Sequence, residues 1–99
     1  MTAVIINDKL YSANLGDCKG IIVNIDNDKV TFRKINHMLN ANSKKEQNRL
    51  RTLFSEDDDI IVCRSGKGSC YVKNRLQPTR AFGDFRLKYP EFNNPLDEP

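Results

Sequence analysis

The chain has 99 residues, of which 29% are charged and 38% hydrophobic, and its formal net charge is +3. That length allows one small domain, and the mild, mixed charge argues against nucleic acid or an anionic membrane as a partner. No apolar run reaches membrane-spanning length. Three cysteines, an odd number, favour free thiols in a reducing compartment over a disulfide framework, so the expected location is cytoplasmic or nuclear.

The first third of the chain alternates apolar and polar residues in short runs that predict strands at 3–6, 9–15, 20–25 and 29–35. Asn7-Asp8 and Asp26-Asn27-Asp28 are turn signals between them. Gly16-Asp17 interrupts the pattern after the second strand. The sequence therefore predicts an antiparallel meander.

A single helix is predicted next. Ser43 and Glu46 have the spacing of a capping box, in which each side chain bonds the backbone of the other residue. The helix should end at Phe54 or Ser55, with Leu50, Leu53 and Phe54 on one face. Because that stripe is narrow and so short a helix is marginal alone, the helix needs a sheet face to cover. The fold class is therefore α+β, an antiparallel sheet with a flanking helix.

The stretch at 56–74 begins with the acidic run Glu56-Asp57-Asp58-Asp59. Such a run is a solvated turn or, if its carboxylates converge, a site for a hard cation. Two short apolar runs at 60–63 and 70–72 predict strands on either side of a glycine-containing turn. That turn lacks the full phosphate-loop pattern, which argues against nucleotide binding.

A run of mixed chemistry follows at 77–84. Gly83 allows backbone angles that other residues resist, and Asp84 can tighten a turn through local hydrogen bonds. Arg80 carries a planar donor fork that suits a carboxylate. We therefore predict a strand that enters a rigid turn. After residue 90 the chain is polar and proline-containing, and we expect 91–99 to be a loose tail.

Asp17 is the best candidate for a metal ligand, because it follows a strand and a glycine and should project from the end of a sheet. Magnesium and manganese take several oxygen ligands, so one carboxylate cannot make a site; the alternative is that Asp17 only caps a turn. His37 is the only histidine, and lone histidines are more often structural than catalytic. The cysteines lack the C-x-x-C spacing of a zinc site.

Two stretches, read together and in order, resemble the metal-dependent protein serine/threonine phosphatases of type 2C. The first, Ala13-Asn14-Leu15-Gly16-Asp17-Cys18-Lys19, is similar to the A-N-x-G-D-S-R motif of that family. The second, Thr79-Arg80-Ala81-Phe82-Gly83-Asp84, is similar to S-R-A-F-G-D, with L-K behind it. Between them, Asn36-His37 stands where the family has D-H. The resemblance covers about residues 3–90.

The resemblance implies the central portion of a phosphatase domain at 1–90, part of a helix-flanked β-sandwich. It implies hydrolysis of phosphoserine and phosphothreonine in proteins, with magnesium or manganese as cofactor and the remainder of the domain as partner. It places Asp17 at an accessory metal and assigns no catalytic residue to this chain. Gly16, Arg80, Gly83 and Asp84 are then structural supports near that site. The segment alone is expected to be inactive, because the family's other metal-binding acids are absent.

Four positions depart from the family pattern: Cys18 and Thr79 each replace serine, Lys19 replaces arginine, and Asn36 replaces aspartate. The lysine keeps the charge but loses the bidentate fork, and the amide should anchor its neighbour more weakly than the acid. The departures at Cys18 and Asn36 favour an alternative function, a non-catalytic interaction module on the same fold. A third interpretation, an unrelated small binding domain, requires both motif matches to be coincidental.

Overall fold

The computed structural model describes residues 1–66 and 68–92, which form a small α+β arrangement, as the sequence predicts. The strands come in three antiparallel pairs, each a separate two-stranded sheet, and the principal helix follows the second pair. The elements are β1 Thr2–Ile6, β2 Lys9–Ala13, β3 Ile21–Asp26, β4 Lys29–Lys34, α1 Lys44–Leu53, β5 Ile61–Cys63, β6 Cys70–Val72, α2 Phe85–Lys88 and a 3₁₀ turn at Pro90–Phe92.

The first two hairpins are closed by two-residue Asn-Asp turns. Asn7 and Asp8 have φ angles of 48° and 60°, and Asn27 and Asp28 have 45° and 66°. Two successive left-handed residues give the turn whose twist matches that of the flanking strands, and asparagine and aspartate tolerate this conformation better than most residues. The predicted turns are confirmed, although the second uses two residues rather than three.

The predicted meander is wrong, because β2 and β3 do not pair and the two hairpins form separate sheets. The backbone between them bonds elsewhere instead. The Gly16 carbonyl accepts from the Leu39 N–H at 2.9 Å, and the Gly20 carbonyl accepts from the Ile35 N–H at 3.1 Å. The alternation of apolar and polar residues predicts that a segment is a strand, but it does not predict which other segment that strand will pair with.

One face of the β3–β4 hairpin is apolar and open to solvent. The register pairs Val23 with Phe32 and Ile25 with Val30, which places all four on that face. Ile25 is 71% exposed and Phe32 73% exposed. The radius of gyration is 17.6 Å, against about 13 Å for a compact domain of this size. We define Ile21, Val23, Ile25, Val30 and Phe32 as the open hairpin face.

We expect the isolated chain to self-associate through the open hairpin face, because exposed apolar patches beside unpaired strand edges favour pairing. Sedimentation velocity over a concentration series should show the weight-average mass rising with concentration. Replacing Ile25 and Phe32 together by threonine should suppress this rise. Asn24→Thr, on the opposite face of β3, is the matched control and should leave it unchanged. A monodisperse monomer throughout would contradict the prediction.

The buried core lies between α1 and the β5–β6 hairpin. It comprises Ala41, Leu50, Ile60, Ile61 and Cys70, with Val72 packed against it. Ser43 is the residue before the helix, as predicted, but its side chain makes no capping hydrogen bond, so the capping box does not form. The predicted apolar stripe is confirmed for Leu50 and wrong for Leu53 and Phe54. Leu53 and Phe54 are 62% and 50% exposed, and the buried helix residues are Glu46, Gln47 and Leu50.

The Gln47 side chain is the largest fully buried group among the described residues. Its amide nitrogen donates to the Ala41 carbonyl at 2.7 Å and to the Cys70 sulfur at 3.3 Å. A buried amide would otherwise cost free energy, so these bonds are what allow a polar residue on the packed face. Gln47 therefore links the chain before α1 to strand β6.

Cys63 and Cys70 form a disulfide, which corrects the expectation that all three cysteines are free thiols. The two residues face each other in the β5–β6 register, a position from which cross-strand sulfurs can reach one another. Cys18 is a free and exposed thiol. The odd cysteine count reflects one bridge and one thiol.

The run at 77–84 forms a turn but not the predicted strand, since its backbone makes only an isolated bridge between Pro78 and Asn40. Gly83 and Asp84 take left-handed φ angles of 71° and 52°, and the four-residue helix α2 follows directly. Of the predicted tail, Glu91 and Phe92 lie in the 3₁₀ turn, and 93–99 lie outside the described residues. Among the described residues, no helix is long and apolar enough to cross a bilayer.

Candidate functional site

The two sequence motifs lie close together because the segment at 39–41 bonds to both. The Leu39 N–H donates to the Gly16 carbonyl at 2.9 Å, and the Leu39 carbonyl accepts from the Thr79 N–H at 2.8 Å. The Ala41 N–H donates to the Gln77 carbonyl at 2.7 Å. Gly16 and Thr79, 63 positions apart in the sequence, therefore bond to the same residue, Leu39. We refer to this arrangement as the motif junction.

Gly16 lies at the motif junction. Its φ angle is 142°, a backbone conformation that residues other than glycine rarely adopt. A Cβ atom there would lie 3.7 Å from the Arg80 carbonyl oxygen, so the two motifs approach closely at this point. The Asn14 side chain donates to the Gly16 and His37 carbonyls, both at 3.0 Å. The Asn14 side-chain oxygen, Oδ1, is buried and has no hydrogen-bond partner among the described residues.

Asp17 is exposed beside this junction, and its carboxylate accepts a hydrogen bond from the Asn40 amide at 3.2 Å. Magnesium and manganese require several oxygen ligands, and within 1–66 and 68–92 no three His, Cys, Asp or Glu side chains are placed to share an ion. The described residues therefore do not fit a complete metal site. Asp17 could supply one oxygen to a site completed by other acids.

The acidic run at 56–59 is a turn that bonds within the chain. The Asp57 carboxylate accepts from the Lys73 ammonium at 2.7 Å and from the Asp59 N–H at 3.2 Å. The first contact joins the turn to the end of the β5–β6 hairpin. The solvated-turn alternative thus describes this run, and its carboxylates do not converge on a cation site in the described structure.

Asn36 anchors its surroundings through three hydrogen bonds, and that this anchor is weaker than the family's aspartate stays a prediction. Its carbonyl oxygen accepts from the Gly20 N–H at 2.7 Å. Its nitrogen donates to the Cys18 carbonyl at 2.7 Å and the His37 carbonyl at 3.2 Å. An ionised aspartate could not make the last two bonds, since a carboxylate only accepts. The asparagine therefore suits this backbone arrangement.

The sequence pattern predicted that Glu46 caps the start of the helix. In the structure Glu46 is instead a buried carboxylate. It is 5% exposed, and its carboxylate accepts from the Arg49 guanidinium at 2.7 Å and the Thr79 hydroxyl at 2.6 Å. The hydrogen bond from Arg49 holds the pKa of Glu46 below its ordinary value, against the opposing effect of burial. Its i, i+4 relation to Leu50 is the sequence signal that it faces inward.

Arg80 is exposed, and neither ion pair found among the described residues includes it. Its positive charge nevertheless contributes to lowering the pKa of Glu46. Gly83 is half-buried, and the Asp84 carbonyl accepts from the Leu87 N–H at 2.9 Å where α2 begins. That Gly16, Arg80, Gly83 and Asp84 support a catalytic site stays a prediction.

Along the chain, a G-D turn, Asn36 before His37, helix α1 and a second G-D turn follow one another in the order expected from the resemblance to the type 2C phosphatases. A family model described as Protein phosphatase 2C matches residues 1–98. The chain belongs to the protein phosphatase 2C family.

Individual relatives agree with this assignment. The rice (Oryza sativa subsp. japonica) Probable protein phosphatase 2C 43 is 29% identical over 93 residues, which are 93% of this chain and 24% of the relative. The Arabidopsis thaliana Probable protein phosphatase 2C 67 is 31% identical over 93 residues, 94% of this chain and 25% of the relative. The chain thus spans about a quarter of the length of these relatives. No solved structure matches it.

Proposed function

We propose that this chain is the central segment of a magnesium- or manganese-dependent phosphatase that hydrolyses phosphoserine and phosphothreonine in proteins. The observation that carries the proposal is the family match over residues 1–98. The two motifs and their contact at the motif junction support it. Because the chain spans about a quarter of its relatives, the proposal concerns the protein of which this segment is a part.

Within that protein, we assign Asp17 the role of one carboxylate ligand at an accessory metal. Gly16 and the turn at 80–84 would hold the surrounding backbone in place. The remainder of the domain would cover the open hairpin face and complete the β-sandwich. The segment by itself would be inactive, since its described residues hold only one exposed carboxylate at this position.

A non-catalytic interaction module of the same family is the alternative. The substitutions at Cys18 and Asn36 favour it, because each removes a group that the type 2C motif carries. The Asn36 side chain bonds to backbone groups: its oxygen accepts from the Gly20 N–H, and its nitrogen donates to the Cys18 carbonyl. A family member without phosphatase activity would still need these hydrogen bonds to hold its fold.

A graft into an active relative would separate the two functions. Residues 1–98 replace the matching segment of the rice relative, and manganese-dependent hydrolysis of a phosphoserine peptide is measured before and after. We expect the graft to hydrolyse the peptide, and Asp17→Asn within it to raise the manganese concentration needed for half-maximal rate. Asp28→Asn, in the β3–β4 turn, is the matched control.

The result against the proposal is a graft that melts cooperatively, like the parent, yet shows no turnover at any manganese concentration. That result would favour the interaction module. The ungrafted 99-residue chain, assayed in parallel, should show no turnover. Manganese-dependent turnover by the chain alone would overturn its assignment as an incomplete segment.

A further inference from the structure

A pocket of about 230 Å³ lies between the backbone before β3, the end of β4 and the start of α1. Three of its lining residues are lysines, one from each element: Lys19, Lys34 and Lys45. The Ser43 and Glu46 side chains border it near the helix start. Three separate parts of the chain thus bring positive charge to one concave surface.

The backbone that carries these lysines is fixed by hydrogen bonds. Asn36 bonds on both sides of Lys19, to the Cys18 carbonyl and the Gly20 N–H, each at 2.7 Å. The Ile35 N–H donates to the Gly20 carbonyl at 3.1 Å, which holds the residue after Lys34 against the same loop. The loop that carries Lys19 and the end of β4 are therefore joined by hydrogen bonds beside the pocket.

The positive charge in the pocket is not neutralised by the described residues. None of the three lysines has an ion-pair partner in the part of the chain that the structure describes. The one lining carboxylate, Glu46, already accepts from Arg49 and Thr79. The pocket therefore has a net positive charge available to a ligand.

The start of α1 adds neutral donors to this charge. Ser43 lines the pocket, and in the described part of the chain its side chain makes no capping hydrogen bond. The first N–H groups of a helix also lack partners within the helix and favour an anion. The helix start supplements the three lysines, which remain the principal feature.

We propose that this pocket binds a phosphate group. Lysine is a common phosphate binder that acts as a point charge, and the pocket has room for one tetrahedral anion with water. Nucleic acid fits less well, because its recognition uses extended basic surfaces or aromatic stacking, and the lining carries no phenylalanine, tyrosine or tryptophan. The phosphate could be free or carried on a side chain. The proposal is independent of the proposed function, since binding needs neither metal nor turnover.

Equilibrium dialysis of the 99-residue chain against radiolabelled inorganic phosphate tests the proposal, at constant ionic strength and without metal. Lys19→Gln/Lys45→Gln is the pocket variant. Lys9→Gln/Lys29→Gln, at the turn ends of the two hairpins, is the matched control with the same change in net charge. We expect about tenfold or greater loss of affinity in the pocket variant, from the loss of two charge-assisted contacts, and less than about twofold in the control.

Equal loss in both variants would overturn the proposal, because it would show that net charge alone attracts phosphate. Absence of saturable binding would overturn it too. A second arm uses a phosphoserine peptide and its unphosphorylated counterpart as competitors. Competition by the phosphopeptide at lower concentration than inorganic phosphate assigns the pocket to phosphorylated side chains, and the reverse order assigns it to the free anion. Either order supports phosphate binding.

Discussion

Replacing Glu46 by alanine should lower the free energy of unfolding by about 2–3 kcal/mol, since the change leaves the Thr79 hydroxyl and the Arg49 guanidinium without their carboxylate. Arg49 is 37% exposed at its side chain, so water compensates part of its loss, and the estimate stays below that for a fully buried ion pair. Urea denaturation would measure the change. Glu56→Ala, an exposed glutamate after the same helix, is the control and should change stability by less than about 0.5 kcal/mol.

The same carboxylate gives stability a defined pH dependence. Because the pKa of Glu46 is lowered from 4.5 in the folded state, its contribution is present above 4.5 and is lost as the pH falls through the folded-state value. Glu46→Gln lacks this titration. The stability difference between the native chain and Glu46→Gln should therefore shrink as the pH is lowered from neutral to well below 4.5. A difference that stays constant over that range would show that Glu46 does not gain stability from its ionised form.

Leu50→Ala should lower the free energy of unfolding by about 3 kcal/mol, because it removes a buried side chain and leaves a cavity. Leu50 is 5% exposed and belongs to a core of only five buried hydrophobic residues among those described. Little packing is available to compensate. We expect the urea concentration at the midpoint of the cooperative unfolding transition to fall, as measured by far-UV circular dichroism.

Leu53→Ala is the matched control, the same substitution three residues later in the same helix. Leu53 is 62% exposed, so its replacement should change stability by less than about 0.5 kcal/mol. The helix propensities of the two variants are identical, since both convert leucine to alanine. Equal destabilisation by the two substitutions would mean that the helix packs on the face predicted from the sequence rather than on the observed one.

Features decided by neighbouring residues could be predicted from the sequence. The Asn-Asp turns set the first two hairpins, and Ser43 correctly marked the start of α1, because left-handed turns and helix starts depend on local backbone preferences. The separation of the two hairpins was not predictable in this way. It depends on Gly16 and Gly20 bonding to residues 15 to 23 positions away.

The helix face was mispredicted for a similar reason. Apolar periodicity assigns Leu53 and Phe54 inward, but the packed face contains Glu46 and Gln47, whose partners lie far along the chain at Thr79 and Cys70. A polar residue is buried only where such partners exist, and one sequence does not reveal them. The Cys63–Cys70 disulfide depends likewise on a strand register that the cysteine count does not contain.

For the candidate site, the motifs located the right neighbourhood but not its contacts. The sequence singled out Asp17 and Arg80 separately, and the structure places the backbone of their motifs side by side. It could not indicate that Asn40 would bond the Asp17 carboxylate, nor that three lysines would converge on one pocket. Both arrangements arise where segments distant in the sequence meet, which residue types alone do not determine.

The Asn36 contacts also bear on the order in which the chain folds. They join residues 16 and 18 positions apart, and the β3–β4 hairpin lies between them. A hairpin forms within microseconds from local contacts, and its formation brings its two ends together. Most of the entropy lost on closing this loop is therefore lost before Asn36 bonds to Cys18 and Gly20. The Asn36 hydrogen bonds therefore form after the loop has closed. They should slow the opening of the hairpin more than they speed its formation.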